Sequence, residues 1–274
     1  MNDYFLEVIS VILVNGSNKY SVGHLVAKSA NSNFYICSDD ERQYFLQVAA
    51  SVEQNVKLDF AAYTLRELKR ISDIYEKRFR ARFPDKHLNY DWLFPTIISS
   101  FLPNDQGGRM VNVLAINNGD SLDQMVPLSN ILKKDRRIID LATSVWIAGR
   151  LLKLLVLTHD QCISPVIDSD NIIIEPKKHH VIVLDWINAK MHQNEVPEDV
   201  RMQDVVNVAT ITLAAIGETN EQSSRYQDNV YVDFLKSLVD NPSGDTKQVY
   251  SDFESAHGEL FEDNIFYPFT TFPI

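Results

Sequence analysis

A chain of 274 residues, 45% hydrophobic and 23% charged, is long enough for one large domain or two modest lobes around a buried core. Its 37 acidic residues outweigh 26 basic ones, and a net charge of −11 argues against a dedicated nucleic-acid or anionic-membrane binder, which needs clustered Lys and Arg. Two cysteines, Cys37 and Cys162, make neither a disulfide framework nor a metal cluster, and their apolar flanks mark both as small buried hydrophobes.

The first apolar run, "VISVILV" at 8–14, has no basic segment before it and is too short to cross a bilayer, so a cytoplasmic protein is expected. A turn cluster, Asn15-Gly16-Ser17-Asn18, follows. Then come "KYSVGHLVA", "NFYICS" and "QYFLQVAAS", whose Tyr, Phe, Val and Ile suit a half-buried antiparallel meander. After these the period changes. Leu58, Ala61, Ala62, Leu65, Leu68, Ile71 and Tyr75 fall at helical spacing and predict one long amphipathic helix over 58–83, with Asp59 as its N-terminal signal. Basic runs at 77–82 (KRFRAR) and 133–137 (KKDRR) adjoin or lie on helices and read as solvated faces.

Two further strands, "PTIISSFL" and "GRMVNVLAI", flank the turn "PNDQGG". The break at 117–120 (NNGD) places a boundary between an N-terminal lobe, 1–118, and a helical C-terminal lobe, 119–274. The second lobe opens with one or two helices over 131–160. A hairpin, "NIIIE" and "HVIVLDW", interrupts the helices within 163–186. "MQDVVNVATITLAAIG" predicts a buried helix ended by Gly217, and two more helices are expected near 231–239 and 246–260. The aromatic tail, with Phe266, Tyr267, Phe269 and Phe272, is expected to pack on the helical lobe. His159 reads as a helix-end residue and His179-His180 as turn residues, since no further ligand stands at metal-site spacing.

With "VISVILV" set aside as an extra, five strands, one long helix inserted after the third, and a helical lobe opened by a small hairpin remain. That order, with "DSDNIIIE" and "HVIVLDW", resembles the protein-kinase superfamily: the catalytic-loop end Pro-x-Asn-Ile-Leu-Ile and the strand that ends in a metal-binding Asp. "QDVVNVATITLAAIG" is similar to the kinase helix that begins with an Asp, and Asp204 would bond backbone groups of the catalytic loop. The resemblance spans nearly the whole chain and implies a bilobed α+β fold. A narrower likeness joins it to small bacterial and phage kinase-like proteins, some annotated with J-domain chaperones.

The resemblance also implies where the machinery for phosphoryl transfer would stand. Asn171 and Asp185 occupy the two positions that hold Mg2+. Val166 stands five residues before Asn171, where the catalytic Asp belongs, and a valine cannot accept a hydroxyl proton. Asp168 is the one nearby substitute base, and it would require a rebuilt loop; its alternative is a turn-capping carboxylate. Gln47 replaces the lysine of the Val-Ala-Ile-Lys strand; Glu67 sits where the long helix offers its Glu, and without that lysine it is either part of the nucleotide site or an exposed helix residue. Lys28 is a relocated phosphate-binding lysine or an exposed turn residue. The turn "AKSANSN" has no glycine to let phosphates approach the backbone. The 19 positions from Asp185 to Asp204 leave little room for a peptide-binding segment. A catalytically inactive kinase-like protein, or pseudokinase, is expected, working as a regulatory or interaction module with another protein as partner. ATP with Mg2+ in the interlobe cleft is left open, and the alternative is an atypical kinase or small-molecule phosphotransferase.

Overall fold

The computed structural model describes residues 11–104, 107–116, 122, 125–136, 138–175, 180–218 and 226–257. The N-terminal part is built from β1 (Val11–Asn15), β2 (Asn18–Lys28), β3 (Ser32–Ser38) and β4 (Gln43–Ala49), then α1 (Asn55–Arg82), β5 (Thr96–Phe101) and β6 (Val111–Ala115). The strands form one antiparallel sheet of order β1-β2-β3-β4-β6-β5. The run set aside from the sequence is therefore a sixth strand, joined to β2 through a turn in which Gly16 takes φ +62°.

The sheet is bent so far that its second strand touches its last. The Tyr20 ring of β2 stacks on Phe101 of β5 at 6.2 Å, and meets Tyr44 edge-on at 6.0 Å. Inside this curl, Leu13, Tyr20, Cys37, Leu46, Val111 and Val113 form a core of their own. The opposite face alternates with it, as strand geometry requires, and directs Phe34, Ile36, Phe45 and Gln47 toward α1 and the second lobe. Cys37 is buried as expected, and burial pushes its thiol up to about 12.

Helix α1 begins three residues earlier than predicted and ends one residue sooner, with Phe83 as its C-cap. Its start is tied by Asn55, whose Nδ2 donates to Gly108 O at 2.7 Å and whose Oδ1 accepts from Met110 N–H at 2.7 Å. Leu58, Ala61, Ala62, Leu65 and Leu68 are buried, and burial along the helix ends at Ser72. None of its last ten residues is fully buried.

The second lobe contains β7 (Val126–Pro127), a π-helical turn at Asn130–Lys134, and α2 (Leu141–Asp160). It continues with β8 (Ile163–Ser164), β9 (Ile172–Glu175), β10 (His180–Val183) and β11 (Lys190–Met191), and closes with α3 (Glu198–Ala215), α4 (Val230–Asp240) and α5 (Thr246–His257). Asp140 caps α2, accepting from Thr143 N–H at 2.8 Å. Helix α2 is long and apolar enough to cross a membrane, and most of it is buried among α3, α5 and the hairpin. Gly217 ends the α3 segment at φ +77°. The expected lobe boundary, the tip of the β9–β10 hairpin with His179, and the aromatic tail lie outside the described residues.

Two expectations about single residues need correction. His180 is a buried strand residue of β10, paired with Glu175 of β9, its ring 5.0 Å from that of Trp92. Cys162 is only half-buried: it sits at φ +58° just past α2, and its Sγ–H donates to Asn194 O at 2.8 Å.

Candidate functional site

The site lies where the inward face of the sheet meets the β9–β10 hairpin. Strand alternation brings Phe45 and Gln47 of β4 to the same side, both essentially inaccessible to solvent. Antiparallel pairing of β9 with β10 sets Asn171 and Asp185 at the open end of the hairpin. The Asn171 side chain is engaged from three directions. Its Nδ2 donates to Val166 O and to Asp185 O, each at 2.9 Å, and its Oδ1 accepts from Asp185 N–H at 2.6 Å. One amide thus stitches the loop before β9 to the segment after β10.

The Asp185 carboxylate is turned toward the sheet. Its Oδ1 accepts from Gln47 Nε2 at 2.8 Å and from Ile187 N–H at 2.9 Å, and Ser32 Oγ donates to Oδ2 at 3.5 Å. Gln47 Nε2 also donates to Ser32 Oγ at 3.2 Å. Burial pushes the Asp185 carboxyl above its ordinary value, the donors from Ile187, Gln47 and Ser32 oppose that, and the nearby Asp168 charge adds to it. No cation touches this carboxylate among the described residues.

Asp168 caps a turn, its Oδ1 accepting from Asp170 N–H at 2.9 Å and Asn171 N–H at 2.8 Å. Asp170 pairs with Lys133 at 3.0 Å on the surface. Lys28 ends β2 with its side chain exposed. These residues nevertheless converge: Lys28, Val166, Asp168, Asn171, Asp185 and Asn188 line one cavity of about 210 Å3. That is below the span of about 300–1,000 Å3 usual for pockets that enclose a small-molecule ligand.

Glu67 is not brought to Gln47. It sits half-buried on the outer side of α1 and pairs with Arg70 at 2.9 Å, because the buried stripe of the helix runs through Ala61, Leu65 and Leu68 instead. Asp204 is likewise repartnered. Pro165 has no N–H to offer, and Asp204 Oδ2 accepts from His159 Nε2 at 2.9 Å at the end of α2. Burial pushes the Asp204 carboxyl up, and the bond to His159 opposes that.

Sequence reasoning missed several participants. The β2–β3 turn is tied to the far lobe, Asn31 Nδ2 donating to Asn188 Oδ1 at 3.0 Å, and Ser32 reaches Asp185. Neither residue carries a local signal, since both depend on which segment the turn meets in space. Phe45 could have been noticed, because it stands where the Val-Ala-Ile-Lys pattern has its alanine. It fills with an aromatic ring the space beneath the sheet that a smaller side chain would leave open.

Solved structures match the fold over most of the chain. It superposes on vaccinia related kinase 3 with a TM-score of 0.62 at 12% identity, over 92% of this chain and 91% of that one. The fold is that of a protein kinase. The BubR1 kinase domain gives a TM-score of 0.59 at 10% identity, over 91% and 83% of the two chains. No protein-family model and no curated protein sequence matches the chain.

Asn171 and Asp185 are the pair that the resemblance assigns to Mg2+; Asp185 Oδ1 and Asn171 Oδ1 are engaged by donors, and Asp185 Oδ2 has only the 3.5 Å contact to Ser32. A hard, near-octahedral cation needs carboxylate oxygen that is open to it. Trp186, after the Asp, is locked in place: its Nε1 donates to Val183 O at 2.9 Å and its ring meets Phe94 at 6.2 Å. The segment beyond it is short and pinned by the β8–β11 pairing and by His192 N–H donating to Cys162 O at 2.7 Å.

Proposed function

We propose that this protein is a pseudokinase, a kinase-fold module that does not transfer phosphate and works through regulation of, or binding to, another protein. The observation that carries this reading is the hydrogen bond from Gln47 Nε2 to Asp185 Oδ1. The residue in the place of the phosphate-binding lysine directs its only donor group at the carboxylate that would hold the metal. Phosphoryl transfer requires phosphate positioning, charge neutralisation and a base for the attacking hydroxyl. Val166 supplies no base, Asp168 is held in its turn, and the small cavity lined by Phe34 favours a closed cleft. The net charge of −11 supports a protein partner over nucleic acid or an anionic membrane, in a cytoplasmic setting.

A second reading keeps nucleotide binding, with or without transfer to a small molecule. It rests on Lys28, Asp168, Asn171 and Asp185 lining one cavity, and it requires Gln47 to release Asp185.

Thermal denaturation with and without ATP and Mg2+, repeated on Asp185→Ala, separates the two. The pseudokinase reading in its closed form expects the same Tm with and without nucleotide. A nucleotide-dependent rise that Asp185→Ala abolishes favours the second reading, and transfer of labelled phosphate to any acceptor overturns the first.

A further inference from the structure

The clearest departure from the acidic character of the chain is the C-terminal end of α1. Eight of the 26 basic residues and four of the 37 acidic ones lie between Arg66 and Lys86, leaving 18 against 33 elsewhere. Three of those four carboxylates are already engaged. Glu67 pairs with Arg70, Asp73 with Lys69, and Glu76 accepts from Leu88 N–H at 2.8 Å, Asn89 N–H at 3.2 Å and the His87 ring at 2.8 Å. Lys77, Arg78, Arg80, Arg82 and Lys86 make no ion pair among the described residues, with Asp85 the one unengaged acid near them.

The geometry is fixed before any partner arrives. Glu76 folds the 83–89 connection back against the helix, and Lys86 is held 6.0 Å over the Phe83 ring. Phe79 and Phe83 lie 5.1 Å apart, and Phe83 is 49% exposed. Between the helix and this connection is an open concavity of about 470 Å3, lined by Asp73, Glu76, Lys77, Arg80, Ala81 and Pro84. Favourable placement of cations at a helix C-terminus accounts for one or two of these charges, since the dipole effect fades within the last turn. It does not account for five, nor for the aromatic rings beside them.

We propose that the C-terminal end of α1 and the connection after it form a docking surface for a short acidic segment of a partner protein that carries an apolar side chain. This deepens the interaction role proposed above by naming the chemistry of the partner. Charge complementarity selects the acid, and the exposed Phe83 beside the concavity selects the apolar residue. The size of the patch selects a short segment. With a screening length of about 8 Å, a short peptide senses only the tip, whereas a long polyanion extends over the acidic remainder of the surface and is repelled.

The test is fluorescence anisotropy of the full chain with a labelled nine-residue peptide of Glu and Asp around a single Phe. A single-stranded RNA of equal charge and the same peptide with Phe replaced by Ser serve as competitors. Lys77→Glu/Arg80→Glu/Lys86→Glu is expected to weaken peptide binding by about tenfold or more, with only a small fall in Tm, because these side chains hold no ion pair and lose at most a helix-end charge and the Lys86 contact with Phe83. Lys133→Glu/Lys134→Glu, on the other basic run, is expected to bind like the parent. Equal binding by the triple variant overturns the proposal, as does RNA binding tighter than the peptide or indifference to the Phe. The readout needs no nucleotide, so its failure and a nucleotide-dependent Tm shift are separate results.

Discussion

Gln47 and Asp185, 138 residues apart, meet through a hydrogen bond of 2.8 Å that joins the sheet to the hairpin of the second lobe. The donor is a neutral amide, so the carboxylate is held by direction and not by opposing charge. Amide, hydroxyl and backbone N–H together replace the hydration of a carboxylate that no cation touches among the described residues. Each side of this contact gives a measurable expectation.

Gln47→Ala removes the amide and leaves a buried carboxylate short of a donor. A loss of about 1–3 kcal/mol in unfolding free energy is expected, read from urea denaturation. Gln47→Glu places a second carboxyl against the first and should cost more at neutral pH, with part of the loss recovered on acidification.

Asp185→Asn tests the charge alone. Asn Oδ1 keeps the donors from Gln47 and Ile187, and its amide can donate to Ser32 Oγ. Because burial raises the Asp185 carboxyl, the folded protein holds a proton there at a pH where the unfolded chain has released it. The parent therefore loses stability as pH rises from the ordinary carboxylate range through the raised value. Asp185→Asn should exceed the parent in Tm at neutral pH and converge with it in acid. A parent that is relatively more stable at neutral pH would contradict this sign.

His159 and Asp204 form the other buried polar contact of the second lobe. His159 Nδ1 is buried without a hydrogen-bond partner, and its Nε2 stands 2.9 Å from Asp204 Oδ2. Asp204→Ala strands that second nitrogen and should cost about 3 kcal/mol. Asp204→Asn retains an acceptor oxygen and should cost about 1 kcal/mol, again by denaturation midpoints.

Tyr20 tests the curl of the sheet. Tyr20→Ala empties the space between β2 and β5 and should cost about 3–5 kcal/mol. Tyr20→Phe should cost under about 1 kcal/mol, because the hydroxyl contact to Ser99 Oγ is long at 3.5 Å.

The elements were legible in the sequence because their patterns are strong. β3 and β4 read as strands through their aromatic and β-branched runs, covered on both faces, and the seven-residue helical stripe from Leu58 to Tyr75 comes from burial on one face, which local patterning reports directly. Asn171 and Asp185 were placed by a spacing that a two-stranded hairpin enforces. The two alternatives for Glu67 stayed open because a charge on a helix does not announce its azimuth, and the packed stripe through Ala61, Leu65 and Leu68 settles it. The partners of Gln47 and Asp204 were out of reach for a related reason. A buried polar group is satisfied by whichever donor folding brings near, here Ser32 and Asp185 for one and His159 for the other.

The buried side chains of the sheet's inner face, among them Phe34 and Phe45, belong to one contiguous cluster with Leu65 of α1, Leu128, Ile172 and Leu184 of the second lobe. Apolar continuity across the lobe interface couples the unfolding of one half to the other. Calorimetry of this chain should therefore record a single endotherm, with van 't Hoff and calorimetric enthalpies in agreement. The two lobes melt as one body.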